Sequence, residues 1–299
     1  MSEYQYYEFQ VLDRPLTQHE MRELRKYSTR ATITATRFIN RYEWGDFKGN
    51  PSTWMQKYFD AFLYFANWGT HRLMLRLPSR ALDIKTAKRY LRGHSVAEHK
   101  KSDILILDLM AENEGGDRDA DDGAGLLSSL IPLRADIAAG DHRALYLAWL
   151  SSVQSGELNA DEPEPPVPPG LGALSASLKA LADFLYLDAD LISVAAARSQ
   201  VMNGKAAPRQ FKRWIAGLPE SEKTALLSRL AIDHEHGLRA ELLRRYHHTH
   251  PTVGSATVVK SRTVAEFLDE VERRERQRVA RAGRRKVRAA APFGAQTRW

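Results

Sequence analysis

Sixteen of the 27 aromatic side chains stand within residues 1–78. Each ring hides about 150–250 Å² when buried, so this quarter of the chain needs a layered fold to receive them. Residues 4–12 put Tyr7, Phe9 and Val11 on one face of an extended segment and predict a strand. Residues 31–44, rich in Thr, Ile, Phe and Tyr, predict a second. Residues 71–77 alternate, with Leu73, Leu75 and Leu77 inward and Arg72, Met74 and Arg76 outward. Residues 104–110 are almost continuously apolar, which suits a central strand buried on both faces.

Helix signals separate these segments. Thr17 and Glu20 have the spacing of a capping box and predict a helix running to Ser28. Asn50-Pro51 opens another, as cap and first-turn proline. Trp54, Tyr58, Phe62 and Phe65 would line its buried stripe, and Asn67-Trp68-Gly69 would end it. A short helix is expected at 83–91. Residues 1–116 are thus expected to form an α/β sandwich of about four strands, able to fold alone.

The remainder predicts helices, so the fold class is α+β. Residues 112–123 are acidic and glycine-rich and suit an exposed loop. A helical extension over 117–160 carries the stripe Leu145, Trp149 and Val153. Residues 161–172 form a Pro-rich linker, because proline lacks the N–H that helix and central strand require. A helical domain at 173–250 is expected to hold helices at 173–187, 189–199, 208–217 and 219–246. A basic helical tail, 251–299, starts its helix at Thr263 with Glu266 completing the cap, and Val264, Phe267, Leu268 and Val271 form its apolar stripe.

Composition excludes several function classes. The 299 residues contain no cysteine, which removes disulfide frameworks, thiolate zinc sites, iron–sulfur clusters and thiol nucleophiles. No run approaches the ~18 apolar residues of a membrane-spanning helix. Met1-Ser2-Glu3-Tyr4-Gln5 lacks the basic head and apolar core of a secretory signal, so a cytoplasmic setting without membrane contact is expected. The net charge of +7 resides in residues 260–299, which hold twelve Lys/Arg and five Asp/Glu. Such a tail suits polyanion contact or a solvated helix end.

Candidate chemistry is sparse. His234, His236, His247, His248 and His250 cluster in sequence, but the two-residue spacing of the first pair points to different helix faces. Asp117 to Gly123 lacks the glycine and glutamate positions of a calcium loop. No phosphate-binding loop, dinucleotide fingerprint or nucleophile elbow is present, and neither a metal nor a cofactor is expected. Asp83 with Glu98-His99-Lys100 has the spacing of one class of Mg²⁺-dependent nuclease, in which the carboxylates hold the metal and the lysine supports the attacking water. The competing reading makes Asp83 an ordinary helix cap.

Tyr6-Tyr7-Glu8-Phe9-Gln10, Arg14-Pro15-Leu16-Thr17, Trp44-Gly45-Asp46-Phe47-Lys48-Gly49, Tyr58-Phe59-Asp60-Ala61-Phe62-Leu63-Tyr64 and Asn67-Trp68-Gly69-Thr70 resemble the motifs of an uncharacterised family of bacterial cytoplasmic proteins. The resemblance extends through Pro163–Gly170 into the helices beyond. It implies a bacterial, cytoplasmic setting and carries no assigned activity. Relatives of this kind often continue into a longer charged helical tail, so the closing Ala-Ala-Pro-Phe-Gly-Ala-Gln-Thr-Arg-Trp implies a shortened or divergent C-terminus.

Three functional readings follow. The first is a non-enzymatic scaffold that binds a protein partner through Trp44, Phe47 and Trp68, because exposed aromatics dominate such contacts. The second is a nucleic-acid-associated protein using Arg273, Arg274, Arg276, Arg278, Arg281, Arg284, Arg285, Lys286 and Arg288 against phosphates. The third is a metal-dependent nuclease or hydrolase using Asp83, Glu98 and Lys100. The absence of a complete catalytic set favours the first.

Overall fold

Seven antiparallel strands form one sheet in a computed structural model, in the order β2-β3-β1-β4-β5-β7-β6. The described residues are 3–99, 103–113, 123–201, 208–231, 238, 242, 245–246 and 261–290; the side chains of 208–210, 230, 231 and 282–290 lie outside them. The strands are β1 Gln5–Gln10, β2 Thr32–Ile33, β3 Arg37–Tyr42, β4 Ala61–Ala66, β5 Thr70–Pro78, β6 Ser95–His99 and β7 Ile104–Glu112. The helices are α1 Gln18–Arg25, α2 Pro51–Lys57, α3 Ile84–Tyr90, α4 Leu126–Leu130, α5 Pro132–Ala138, α6 Arg143–Gln154, α7 Ala176–Phe184, α8 Ala189–Arg198, α9 Pro208–Ala216, α10 Glu220–Ala231 and α11 Val264–Ala290. The class is mixed α+β, and no described helix is long and apolar enough to cross a membrane.

The sheet has seven strands, not four, for three physical reasons. The helix expected from Asn50 to Phe65 ends at Lys57, and Ala61–Ala66 becomes β4. Five of those six β4 residues are buried, on alternating faces that feed both core layers. An apolar run of that length fits a buried strand as well as a helix, and pairing with β1 and β5 decides it. The strand expected over 31–44 is interrupted at Thr34, whose hydroxyl accepts the N–H groups of Thr36 and Arg37, giving β2 and β3. Strand β6 carries one large apolar residue, Val96, because it is an edge. That edge also places β7 second from the margin instead of at the centre.

Local signals at helix starts are met. Thr17 and Glu20 form the reciprocal cap of α1. Asn50 Oδ1 accepts the Thr53 N–H at 2.9 Å ahead of Pro51. Thr263 and Glu266 repeat the box at α11.

Each sheet face has its own core. On one face Phe9, Phe38, Phe62, Met74 and Ile106 pack under α1 and α2 with Leu24, Trp54 and Met55. Met74 was expected to point to solvent; α2 covers it. On the other face Tyr6, Leu63, Phe65, Leu73, Leu75, Leu77, Leu105, Leu107 and Leu109 share one continuous core with Leu127, Leu130, Tyr146, Trp149, Leu181, Phe184 and Phe267. That core runs from β1 to α11, so the helices after residue 123 complete the sheet. His71 shows the joint: its ring stacks between Phe65, Phe184 and Tyr186, Nδ1 meets the Phe184 carbonyl at 3.1 Å, and Nε2 meets the Tyr186 hydroxyl at 3.0 Å.

The Pro-rich segment is extended but is not a free spacer. Its carbonyls at Pro166 and Pro168 accept the hydroxyls of Tyr90 and Ser199. Glu164 is buried against Arg262, which places Nε and Nη2 at 2.8 and 2.7 Å from its carboxylate. Tyr146 donates to the same carboxylate, and Arg262 also meets Glu270 and lies over the Phe267 ring. Burial is the largest influence on both Tyr146 and Arg262. It raises the phenol well above its usual range, whereas the Arg262 guanidinium is held charged by Glu164 and Glu270 against it.

Two half-buried histidines set a pH dependence. Burial lowers His94 and His142 below the ordinary imidazole value, with the Ala148 carbonyl and Asp141 pulling the other way, respectively. The unfolded chain therefore takes up protons first as pH falls through about 6.5. Stability is expected to fall between about pH 7 and 5, and His94→Gln should flatten part of that slope. Melting temperatures at pH 7.5 and 5.5 check this; equal values at the two pH values contradict it.

Candidate interaction surface at one end of the sheet

Register brings two loops together. Gln5 opposes Tyr42 on one side and Ala66 on the other. The chain leaves β3 after Tyr42 and turns after Ala66, so Trp44 and Trp68 emerge from the same end with only β1 between their strands. Neighbouring strands lie about 4.8 Å apart, which sets the two exits about 10 Å apart. The row continues through the hairpin to Thr70 and across to Glu112.

Each exit is held by its neighbours. Gln5 donates its side-chain amide to the Gly45 carbonyl at 3.2 Å, and Gly45 takes φ +76°, a left-handed conformation that suits glycine. Phe47 is half-buried, stacked on Tyr7 at 4.9 Å and edge-on to Trp54 at 4.9 Å. It anchors the turn, and Trp44 at its tip is 80% exposed. Tyr4 and Asn67 exchange two hydrogen bonds at the second exit. Gly69, at φ +95°, passes so close to Asn113 that an added Cβ would lie 2.1 Å from its carbonyl oxygen. Trp68, 44% exposed, donates Nε1–H to Thr70 at 3.0 Å.

The sheet face beside these residues is only half covered. Helix α2 lies over the Met74 and Ile106 end and leaves Arg72, Asp108 and Met110 nearer solvent. Met110, opposite Arg72, is 46% exposed, although its apolar strand suggested burial on both faces. Its sequence parity with Asp108 is the signal that marks this face. Arg72 and Asp108 form a bidentate pair at 2.8 and 2.7 Å. The Tyr7 and Tyr64 hydroxyls converge on Gln5 Oε1 at 2.8 and 3.2 Å. Burial pushes the Tyr64 phenol up to about 12 and raises Tyr7, with the Asp46 carboxylate adding to both.

The basic residues divide. Arg274 and Arg278 lie 3.5 and 2.8 Å from the Asp190 carboxylate on α8, Arg273 donates to the Asp269 carbonyl, and Arg276 pairs with Glu272. Arg281 is exposed. Arg284, Arg285, Lys286 and Arg288 fall among the residues whose side chains lie outside the description.

Two of the three nuclease residues are described. Asp83 Oδ2 accepts the Thr86 N–H at 2.9 Å as the cap of α3. Glu98 is exposed on β6, and Lys100 lies outside the described residues. Among the described residues no group of three His, Asp or Glu side chains gathers in a way that would hold a metal. His234, His236, His247, His248, His250 and the 117–122 acidic run lie outside the described residues. His94 Nε2 meets Ser151 Oγ at 3.0 Å, yet its Nδ1 faces the Met110 N–H at 3.5 Å. Nδ1 is thus the acceptor and Nε2 carries the hydrogen, which leaves no base for the serine.

Compared with protein-family models, curated proteins and solved structures, the chain shows no significant match.

Proposed function

We propose that this is a non-enzymatic protein that docks a protein partner on the Trp44–Trp68 end of its sheet, in the bacterial cytoplasmic setting implied by its N-terminal motifs. The observation that carries the reading is the exposure of Trp44 on a turn whose base is fixed by Gln5 and Phe47. A large ring left in water on a rigid mount loses little conformational freedom on binding, and tryptophan is the commonest anchor of protein interfaces. Trp68 adds a second exposed ring at the same end of the sheet, and Met110 is a further exposed apolar side chain on the half-covered face, next to the Arg72–Asp108 pair.

Replacing both tryptophans with alanine should leave stability within about 0.5 kcal/mol per site, because neither is a core residue. It should weaken a partner held through anchors of this kind by about 30-fold or more. Affinity purification of wild type and of the W44A/W68A variant, each with and without nuclease, tests this. A partner that survives nuclease and disappears from the variant supports docking; a partner retained by the variant contradicts it.

A second reading keeps the basic helix as a nucleic-acid contact. The observation in its favour is that α11 residues 272–281 are exposed. Arg274 and Arg278 already share Asp190, so fewer cations are available than the sequence count suggests. Partners lost on nuclease treatment, irrespective of Trp44 and Trp68, favour this reading. The metal-dependent hydrolase is the reading with least support, since Asp83 is committed to its cap.

A further inference from the structure

We infer that the occupant of the Trp44–Trp68 surface is an arginine- or lysine-bearing polypeptide segment of a partner protein, whose cations stack on the two exposed indoles and meet an acidic rim. This rests on the docking reading and narrows it to one partner chemistry.

The rim is visible in the register. Glu3 precedes β1, Glu43 and Asp46 flank Trp44, and Glu112 opposes Thr70, the residue that holds the Trp68 indole. All four are exposed. Against them stand Lys48, in the same turn, and Arg30, whose charge reaches the Tyr42 phenol. Arg72 is occupied by Asp108, and Arg41 is turned over the Tyr6 ring on the opposite face. The acidic groups prevail where the aromatics lie: Asp46 acts on Tyr7 and Tyr64, and Glu3 on Tyr64, each raising the phenol.

An indole face attracts a cation through its quadrupole, and tryptophan does so best. Arginine adds a flat guanidinium that stacks while its edge donates to carboxylates. An acidic partner would meet like charge along the whole rim, and a neutral apolar one would strip water from four carboxylates without pairing them. A cationic segment alone uses both the rings and the rim.

The test uses the full chain with ¹⁵N-labelled indoles and three probes: a hexa-arginine peptide, a hexa-glutamate peptide and a Gly-Ser hexapeptide. Hexa-arginine is expected to shift the Trp44 and Trp68 indole resonances saturably. The affinity should drop about tenfold between about 50 and 500 mM salt, and about tenfold in an E43K/D46K variant. Among the described residues neither carboxylate forms a hydrogen bond or an ion pair, and both are exposed, so the melting temperature should stay unchanged and report intact folding. No indole shift with hexa-arginine, equal shifts with all three peptides, or an affinity indifferent to E43K/D46K overturns the inference. Salt-sensitive self-association abolished by the same variant also overturns it, since the occupant is then a second copy. If W44A/W68A loses a nuclease-resistant partner that E43K/D46K keeps, the docking reading stands and the cationic partner does not.

Discussion

Arg262→Ala should cost about 3–5 kcal/mol, because it leaves the buried Glu164 carboxylate without its cation. Arg262 is 2% exposed and joins three parts of the chain: Glu164 of the proline segment, Glu270 of α11 and, through Glu164, Tyr146 of α6. Losing the guanidinium also removes the cover from the Phe267 ring, which packs edge-on to Trp149 at 5.6 Å. The two charges are expected to matter jointly. An E164Q/R262M variant, which removes both, should recover much of the loss, since the cost lies in the unpaired charge. Chemical denaturation of the three proteins checks this. Equal stability of wild type and Arg262→Ala contradicts the placement of α11.

Residues 1–116 alone should fail to form a fixed tertiary structure. Eight leucine and phenylalanine side chains of the sheet, from Leu63 to Leu109, face helices that this fragment lacks. At about 1.5–3 kcal/mol for each buried side chain, more than about 12 kcal/mol is at stake, comparable to the whole stability of an ordinary domain. Helix α3, which the fragment keeps, packs at the β6 margin and itself leans on α6. The fragment is expected to bind a hydrophobic dye and to lack near-ultraviolet dichroism while keeping strand content. Cooperative unfolding would restore the independent N-terminal unit that the sequence suggests.

What could be read from the sequence was local. The caps at Thr17, Asn50, Asp83 and Thr263 depend on residues three apart and stand where their spacing places them. Strand β5 shows its alternation because Leu73, Leu75 and Leu77 share one buried face. The helix–strand switch at Tyr58 was hidden, since Trp54, Tyr58, Phe62 and Phe65 satisfy a helical period and only pairing with Gln5–Gln10 overrides it. The edge strand β6 offers almost no pattern, because one side of it meets water. The ion pair between Glu164 and Arg262 spans 98 residues and leaves no mark at short range. At the candidate site, Trp44 and Trp68 were legible through Gly45 and Gly69, which require turns. Met110 was not, because its exposure depends on how far α2 reaches.

Site-specific photo-crosslinking tests the docking account most directly. A photoreactive phenylalanine analogue placed at position 44 or 68 would sit in the aromatic patch. The same analogue at Val279, 60% exposed on the basic helix, and at Val201, 84% exposed, provides the comparison. Irradiation in cells should give a discrete protein adduct from positions 44 and 68, resistant to nuclease, and none from 201 or 279. Adducts confined to position 279, or lost on nuclease treatment, would contradict the account and transfer the interaction to the basic helix.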